Sequence, residues 1–186
     1  MSRHRLAVAA CAGAAVLCLP AVASAEETTC RGTLAAVTVD NLRVPDGATC
    51  VLNNTRVKGT VKVESDAALR AFGIRVVGNV QGEDARKVAV RDGSRIGGSV
   101  QVEQGGKGRV SGSKVKSDIQ FDQNTGALRA ANNKVGGSIQ VIGNDALATI
   151  TANRVDGNLQ CKENEPAPVG GGNIVQGNKE DQCEAL

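Results

Sequence analysis

Apolar and polar residues alternate along short segments of this chain, and each segment contains a glycine. In the segment 56–63, which reads RVKGTVKV, Val57, Val61 and Val63 alternate with polar residues such as Arg56. A period of two in valine-rich sequence predicts β-strand. Glycine inside such a run marks a bend. The segment therefore predicts two short strands that meet at a glycine corner.

The same pattern recurs five more times at a nearly constant interval. The copies are RVVGNVQG (75–82), RIGGSVQV (95–102), KVKSDIQF (114–121), KVGGSIQV (134–141) and RVDGNLQC (154–161). Their first apolar residues are Val57, Val76, Ile96, Val115, Val135 and Val155, at spacings of 19, 20, 19, 20 and 20 residues. Self-similarity at a fixed short period indicates a stacked solenoid.

Each repeat contains a third, weaker apolar run after a polar turn. These runs are Leu69-Arg70-Ala71, Val88-Ala89-Val90, Val110, Leu128-Arg129-Ala130 and Ala148-Thr149-Ile150. Three strands and three corners per repeat predict an all-β, single-stranded parallel β-helix of about seven coils, right-handed by analogy. At ~4.8 Å per coil the rod would be about 35 Å long. A left-handed hexapeptide helix would require strict 18-residue coils, and a leucine-rich repeat would require more leucine.

The first 25 residues have the features of a secretory signal peptide. Arg3 and Arg5 precede an apolar run from Leu6 to Val22, and Ala23-Ser24-Ala25 ends the segment. We expect cleavage near Ala25 and a location that is secreted, extracellular or associated with the cell wall. No other apolar run is long enough to span a membrane, so no membrane span is expected in the mature protein.

The remaining chain divides into three segments. We expect an N-terminal cap and first coil over 26–54, β-helix repeats over 55–160 and a disulfide-closed C-terminal cap over 161–186. Open solenoids need capped ends because a bare terminal coil has unpaired backbone groups. Within the C-terminal cap, the prolines and glycines from Pro166 to Gly172 predict a long loop.

Four cysteines remain after signal cleavage, Cys30, Cys50, Cys161 and Cys183, and an even number in an exported chain suggests disulfides. Three pairings are conceivable. Cys30–Cys50 and Cys161–Cys183 are favoured because each pair is separated by about one repeat, which would place the two Cα atoms ~4.8 Å apart on adjacent strands. A redox or metal site would need closely spaced cysteines, so we expect no metal and no cofactor.

The charge balance excludes few functions by itself. Of the 22 basic residues, Arg3 and Arg5 leave with the signal, so 20 basic and 19 acidic residues remain, a net charge of +1. That balance does not predict nucleic-acid binding, which would need a strongly basic face. The only histidine, His4, also leaves, and the chain has no Tyr or Trp.

The repeats and the segment 157–183, GNLQCKENEPAPVGGGNIVQGNKEDQC, resemble a family of small secreted actinobacterial β-helix proteins with no assigned function. The resemblance covers nearly all of the mature chain, and the C-terminal segment between the cysteines is its specific part. It implies a secreted β-helix and supplies no catalytic residues. The repeats are also similar to those of bactofilins, which polymerise end to end. The signal peptide and the cysteine-closed ends differ from bactofilins, and we expect a monomer.

Aligning the repeats predicts three columns of outward side chains. The basic ladder comprises Arg56, Arg75, Arg95, Lys114, Lys134 and Arg154. The amide ladder comprises Gln81, Gln101, Gln120, Gln140 and Gln160, with Lys62 at its head. The acidic ladder comprises Glu64, Glu83, Glu103 and Asp122, and it gives way to Ile142 and Lys162.

The basic ladder is the candidate binding site. Like charges about 5 Å apart repel by about 0.8 kcal/mol per pair in water. The six side chains are therefore splayed in solvent or paired with turn carboxylates, or they bind an anionic polymer lying along the rod. The stacked glutamines are expected to hydrogen-bond to one another as a structural element.

Two classes of function follow from these columns. We favour an exported, non-enzymatic rod that is structural or displays a surface, which could bind an anionic envelope polymer or polysaccharide. The alternative is a polysaccharide-active lyase or hydrolase, because the acidic ladder supplies carboxylates. Against catalysis stand the loss of the only histidine, the lack of Tyr and Trp and the lack of a long loop to wall a cleft. We therefore expect no catalytic residues.

Overall fold

The computed structural model describes residues 26–186, and the predicted signal peptide, residues 1–25, lies outside the described residues. All regular secondary structure in the described range is β-strand, in 25 segments, and these strands form three parallel sheets. The predicted all-β class is therefore confirmed.

Each coil contributes one strand to each sheet, in the order A, B, C. Sheet A consists of β1 (Glu27–Thr29), β4 (Asn41–Val44), β7 (Val61–Val63), β10 (Val80–Glu83), β13 (Val100–Glu103), β16 (Ile119–Asp122), β19 (Ile139–Ile142), β22 (Leu159–Lys162) and β25 (Lys179–Asp181). Sheet B consists of β2 (Thr33–Ala35), β5 (Thr49–Asn53), β8 (Ala68–Phe72), β11 (Lys87–Arg91), β14 (Lys107–Ser111), β17 (Leu128–Ala131), β20 (Ala148–Thr151) and β23 (Val169–Gly171). Sheet C consists of β3 (Thr38–Val39), β6 (Arg56–Val57), β9 (Arg75–Val76), β12 (Arg95–Ile96), β15 (Lys114–Val115), β18 (Lys134–Val135), β21 (Arg154–Val155) and β24 (Ile174–Val175).

Every strand pairs in parallel with the equivalent strand of the next coil. Val57 aligns with Val76, and Ile96 aligns with Val115 in the same sheet. The stack is a β-solenoid, as the repeat predicted, and the strands of about seven coils follow the 19- and 20-residue spacings. The sheets also extend into 26–54 and 161–186, which brings sheets B and C to eight strands and sheet A to nine.

The core is a column of aliphatic side chains that runs the length of the rod. Inward Val, Ile and Leu residues from all three sheets are fully buried, and Phe121 is the one aromatic residue among the buried side chains of 26–186. Phe121 occupies space that Gly108 leaves free on the next sheet. A Cβ added at Gly108 would lie 2.9 Å from Phe121 Cε1. Large and small residues are thus matched across the core.

The predicted glycine corner lies between sheets C and A. A Cβ at Gly98 would overlap the side-chain oxygen of Asn79, which accepts a hydrogen bond from the backbone N–H of Ser99 at 2.9 Å. Glycine is required here because the corner of one coil packs directly on that of the next.

The other two corners are closed by buried asparagines that the sequence analysis did not identify. One column lies between sheets A and B and the other between sheets B and C, and all six residues are at most 7 % exposed. Their members are Asn124, Asn144 and Asn164, and Asn133, Asn153 and Asn173. Each asparagine follows a corner residue with positive φ, for example Gln123 at 53° and Ala152 at 53°. The left-handed residue turns the chain, and the asparagine after it lies inside the corner.

Both predicted cysteine pairs lie at disulfide distance. The Cα atoms are 5.6 Å apart in the N-terminal pair, Cys30–Cys50, and 5.1 Å apart in the C-terminal pair, Cys161–Cys183. All four side chains are buried. One pair links coils near each end of the rod, as the 20- and 22-residue separations predicted.

One local prediction was wrong. The Pro- and Gly-rich segment from Pro166 to Gly172 was expected to be a loop, but Val169–Gly171 forms β23 and pairs with Thr149–Thr151. In-register pairing with the preceding coil outweighs the low strand propensity of the glycines.

Candidate functional site

The six cations of the basic ladder lie in one column on sheet C. Each cation occupies the first position of a two-residue strand, and the register aligns Arg56 with Arg75, Arg75 with Arg95, and so on through Lys134 and Arg154. All six side chains are exposed, while the residue that follows each is buried. The ladder therefore presents one positive charge per coil, about every 4.8 Å.

The ladder cations have no carboxylate partner among residues 26–186. The ion pairs within this range involve other cations: Arg43, Lys58, Lys62, Arg86 and Lys162. The interpretation in which turn carboxylates neutralise the ladder is thus not supported. The six charges face solvent and are available to an anion.

An open depression of about 610 Å³ accompanies the first four rungs of the ladder. Arg56, Arg75, Arg95, Lys114 and Lys116 provide its charged groups, and Val76, Val77, Ile96 and Gly97 provide its apolar surface. Val77 is 59 % exposed, which is unusual for a valine in a well-packed protein. At Gly97 a Cβ would overlap the backbone oxygen of Val77, so the floor beside the ladder stays low. The depression combines an apolar floor with a cationic rim.

The amide ladder is a continuous chain of hydrogen bonds on sheet A. The side-chain amide of Gln81 donates to Gln101 at 2.9 Å, and the chain continues through Gln120 and Gln140 to Gln160 at 2.7–3.0 Å. It ends where Gln160 donates to the carboxylate of Glu180 at 2.6 Å. The prediction of side-chain hydrogen bonding along this ladder is confirmed, and its groups are occupied with one another.

The acidic ladder lies at the edge of the same sheet. Glu83, Glu103 and Asp122 align in register, and the column continues to Ile142 and Lys162. An open depression of about 210 Å³ is lined by Lys62, Gln81, Gly82, Glu83, Gln101 and Glu103. Within 26–186 no group of three or more His, Cys, Asp or Glu side chains has the geometry to hold a metal ion.

Sheet B has a basic outer face that the sequence analysis missed. Its strands carry six cations, and the strands β5, β8, β11, β14, β17, β20 and β23 contain no acidic residue. The cations are Arg70, Lys87, Arg91, Lys107, Arg109 and Arg129. Burial lowers the pKa of Lys87, and repulsion from Arg70, Arg91, Lys107 and Arg109 lowers it further.

The charges are therefore sorted by face, which the net charge of +1 conceals. Sheets B and C carry cations on their strands and no carboxylates, whereas the carboxylates of the strands lie on sheet A. The reasoning that near-neutral charge excludes a strongly basic face does not hold for this fold, because stacking concentrates one sign on one surface.

The chain matches no protein-family model, no curated protein and no solved structure. Within 26–186 there is no helix that could span a membrane. Chemically, the described surface offers unpaired cations on two faces and a hydrogen-bonded amide and carboxylate face on the third.

Proposed function

We propose that this protein is an exported, non-enzymatic rod that binds an anionic polymer of the cell envelope along its basic ladder. The observation that supports this most directly is the in-register column from Arg56 to Arg154, none of whose cations is paired within 26–186. Two cysteine pairs at disulfide distance are compatible with an extracellular location.

The geometry favours a linear ligand. Charges repeat about every 4.8 Å along a straight column, so a polymer lying parallel to the rod axis could place an anionic group near each rung. The exposed Val77 and the low floor at Gly97 would accept the less polar face of a sugar ring beside the ladder. An acidic polysaccharide or a phosphate-containing wall polymer has both features.

Cosedimentation with purified cell wall at low and high salt tests this proposal. The matched variants are a ladder triple, Arg75→Gln with Arg95→Gln and Lys114→Gln, and a control triple on sheet A, Arg43→Gln with Lys62→Gln and Lys162→Gln. An exposed ionic contact contributes roughly 0.2–1 kcal/mol. Three such losses should weaken binding by between about threefold and a hundredfold.

The expected result is binding at low salt that decreases as salt screens the charges, with a loss confined to the ladder triple. Absence of cosedimentation at low salt, or an equal loss in both triples, would contradict the proposal. Analytical ultracentrifugation of the same samples without wall material tests the expectation of a monomer.

A polysaccharide-active enzyme remains the second candidate because of the depression lined by Lys62, Glu83 and Glu103. Glu83 and Glu103 are cross-strand partners, so their carboxyl groups stand on neighbouring coils at a separation that a glycosidase pair could use. Incubation with acidic and neutral polysaccharides, followed by detection of reducing ends or unsaturated products, tests this candidate. Activity that is lost in Glu83→Gln and retained in the ladder triple would favour the enzyme.

A further inference from the structure

Five cations surround a single alanine at the centre of the outer face of sheet B. We name this group the Ala89 cluster: Arg70, Lys87, Arg91, Lys107 and Arg109, with Ala89 at its centre. Val88 and Val90 point into the core, and both are fully buried, so Ala89 between them points outward. Ala89 is nevertheless only 3 % exposed, which means that its long neighbours cover it.

The register defines the arrangement. Ala89 pairs with Arg70 on one neighbouring strand and with Arg109 on the other, at an interstrand spacing of ~4.8 Å. Lys87 and Arg91 lie two positions before and after it on its own strand, at ~6.6 Å along the strand. The charges are thus spread over two dimensions around one point, unlike the single column on sheet C.

No carboxylate within 26–186 forms an ion pair with the cluster. Asp66, which lies two residues before β8, pairs with Arg86 at 3.3 Å. The guanidinium of Arg91 lies 4.6 Å from the ring centroid of Phe72, and its Nε is buried without an acceptor. Of the cluster arginines, Arg109 donates from Nε to Ser111 at 3.1 Å. The lowered pKa of Lys87 is consistent with uncompensated positive charge at this point.

We propose that the Ala89 cluster is a second anion-binding site, which takes a compact ligand bearing several adjacent phosphate groups. Three arginines present planar forks of donors, which match phosphate oxygens in pairs, and two lysines add point charges. A compact polyanion can contact cations on three neighbouring strands at once. A linear polymer with one charge per sugar would satisfy only one column. The site lies on a different sheet from the ladder and does not depend on the proposed function.

The test measures binding of inorganic triphosphate to the purified protein by calorimetry and by amide chemical shifts. Each charge-assisted hydrogen bond that is lost should weaken binding by about tenfold or more. The cluster variant is Lys87→Gln with Arg109→Gln. The matched control is Lys134→Gln with Arg154→Gln, which removes the same charge from sheet C. Thermal melting of each variant verifies that it is folded.

We expect saturable binding whose shifts centre on β11 and β14 and whose affinity falls at least about tenfold in the cluster variant, and less than about twofold in the control. Bound triphosphate should also raise the pKa of Lys87 towards the ordinary lysine value, measurable by side-chain NMR, because the ligand offsets the repulsion. Absence of saturable binding, or shifts and losses shared equally between sheets B and C, would overturn the proposal. Binding of an oligouronate or an oligonucleotide with no binding of triphosphate would overturn it as well.

Discussion

Replacing Asn153 with alanine should destabilise the rod far more than replacing an exposed asparagine. Asn153 is 1 % exposed and uses its side chain fully. It donates to the backbone oxygen of Ala130 and to the side-chain oxygen of Asn173, both at 2.9 Å. Its own oxygen accepts from the backbone N–H of Asn133 at 3.1 Å and from the Asn133 amide at 3.0 Å.

The expected cost follows from the groups left without partners. The Asn133 amide group still donates to Val110, but the Asn133 backbone N–H loses its acceptor inside a closed corner. A buried, unsatisfied donor costs about 1–3 kcal/mol, and the small cavity adds about 1 kcal/mol. We therefore expect a loss of about 2–4 kcal/mol in the free energy of unfolding. For a chain of this size that corresponds to a fall in Tm of about 4–16 °C.

Urea unfolding monitored by circular dichroism measures this loss, and Asn178→Ala is the matched control. Asn178 is exposed, and its backbone N–H donates to Asn158 at 3.0 Å, a bond that alanine preserves. The control should change stability by less than about 0.5 kcal/mol. Hydrogen exchange at the Asn133 amide should accelerate in Asn153→Ala, since that proton loses its acceptor. Equal stability of the two variants would refute the structural role assigned to the asparagine columns.

Three further predictions concern the core, the C-terminal pair and a surface ion pair. Gly108→Ala should cost about 1–3 kcal/mol by overpacking against Phe121, and Phe121→Leu should relieve part of that cost in a double-mutant cycle analysed by urea unfolding; strict additivity would contradict the packing described. Replacing both cysteines of the C-terminal pair with alanine should lower stability by about 3 kcal/mol, given a separation of 22 residues, and reductant should then no longer affect the terminal coils. The hydrogen bond and charge of Lys58 hold the pKa of Asp40 below its ordinary value of 3.8. The pair therefore stabilises the fold above that value and stops doing so as pH falls through the lowered pKa, so Lys58→Met should raise the Asp40 pKa in an NMR titration.

The sequence predicted those features that depend on the repeat length alone. A 20-residue period implies that residues one period apart are neighbours, which was enough to place Cys30 beside Cys50 and Gln81 beside Gln101. The basic ladder was found for the same reason, because Arg75 and Arg95 each stand directly before a core residue.

The inner asparagines were missed because asparagine between two strands ordinarily indicates an exposed turn. The signal was nevertheless present, since Asn124, Asn144 and Asn164 are spaced by 20 residues, as are the members of the second column. Composition places them in a turn, and only the position after a left-handed residue decides that the side chain lies inside.

The Ala89 cluster escaped detection for a different reason. Its cations come from three coils, but they do not share one column: Lys87 and Lys107 occupy one, Arg70 and Arg109 occupy a second, and Arg91 a third. Reading each column separately gives short, broken runs of charge. Their convergence becomes apparent only when the strands are laid side by side.

Because each coil contacts only its two neighbours, the rod can gain or lose a whole 20-residue unit without repacking the remainder. Duplicating one internal coil would lengthen the molecule by about 4.8 Å and would add one cation to the ladder. Length and valency are therefore coupled in this architecture, and tandem duplication offers a direct genetic route to a longer and more avid rod.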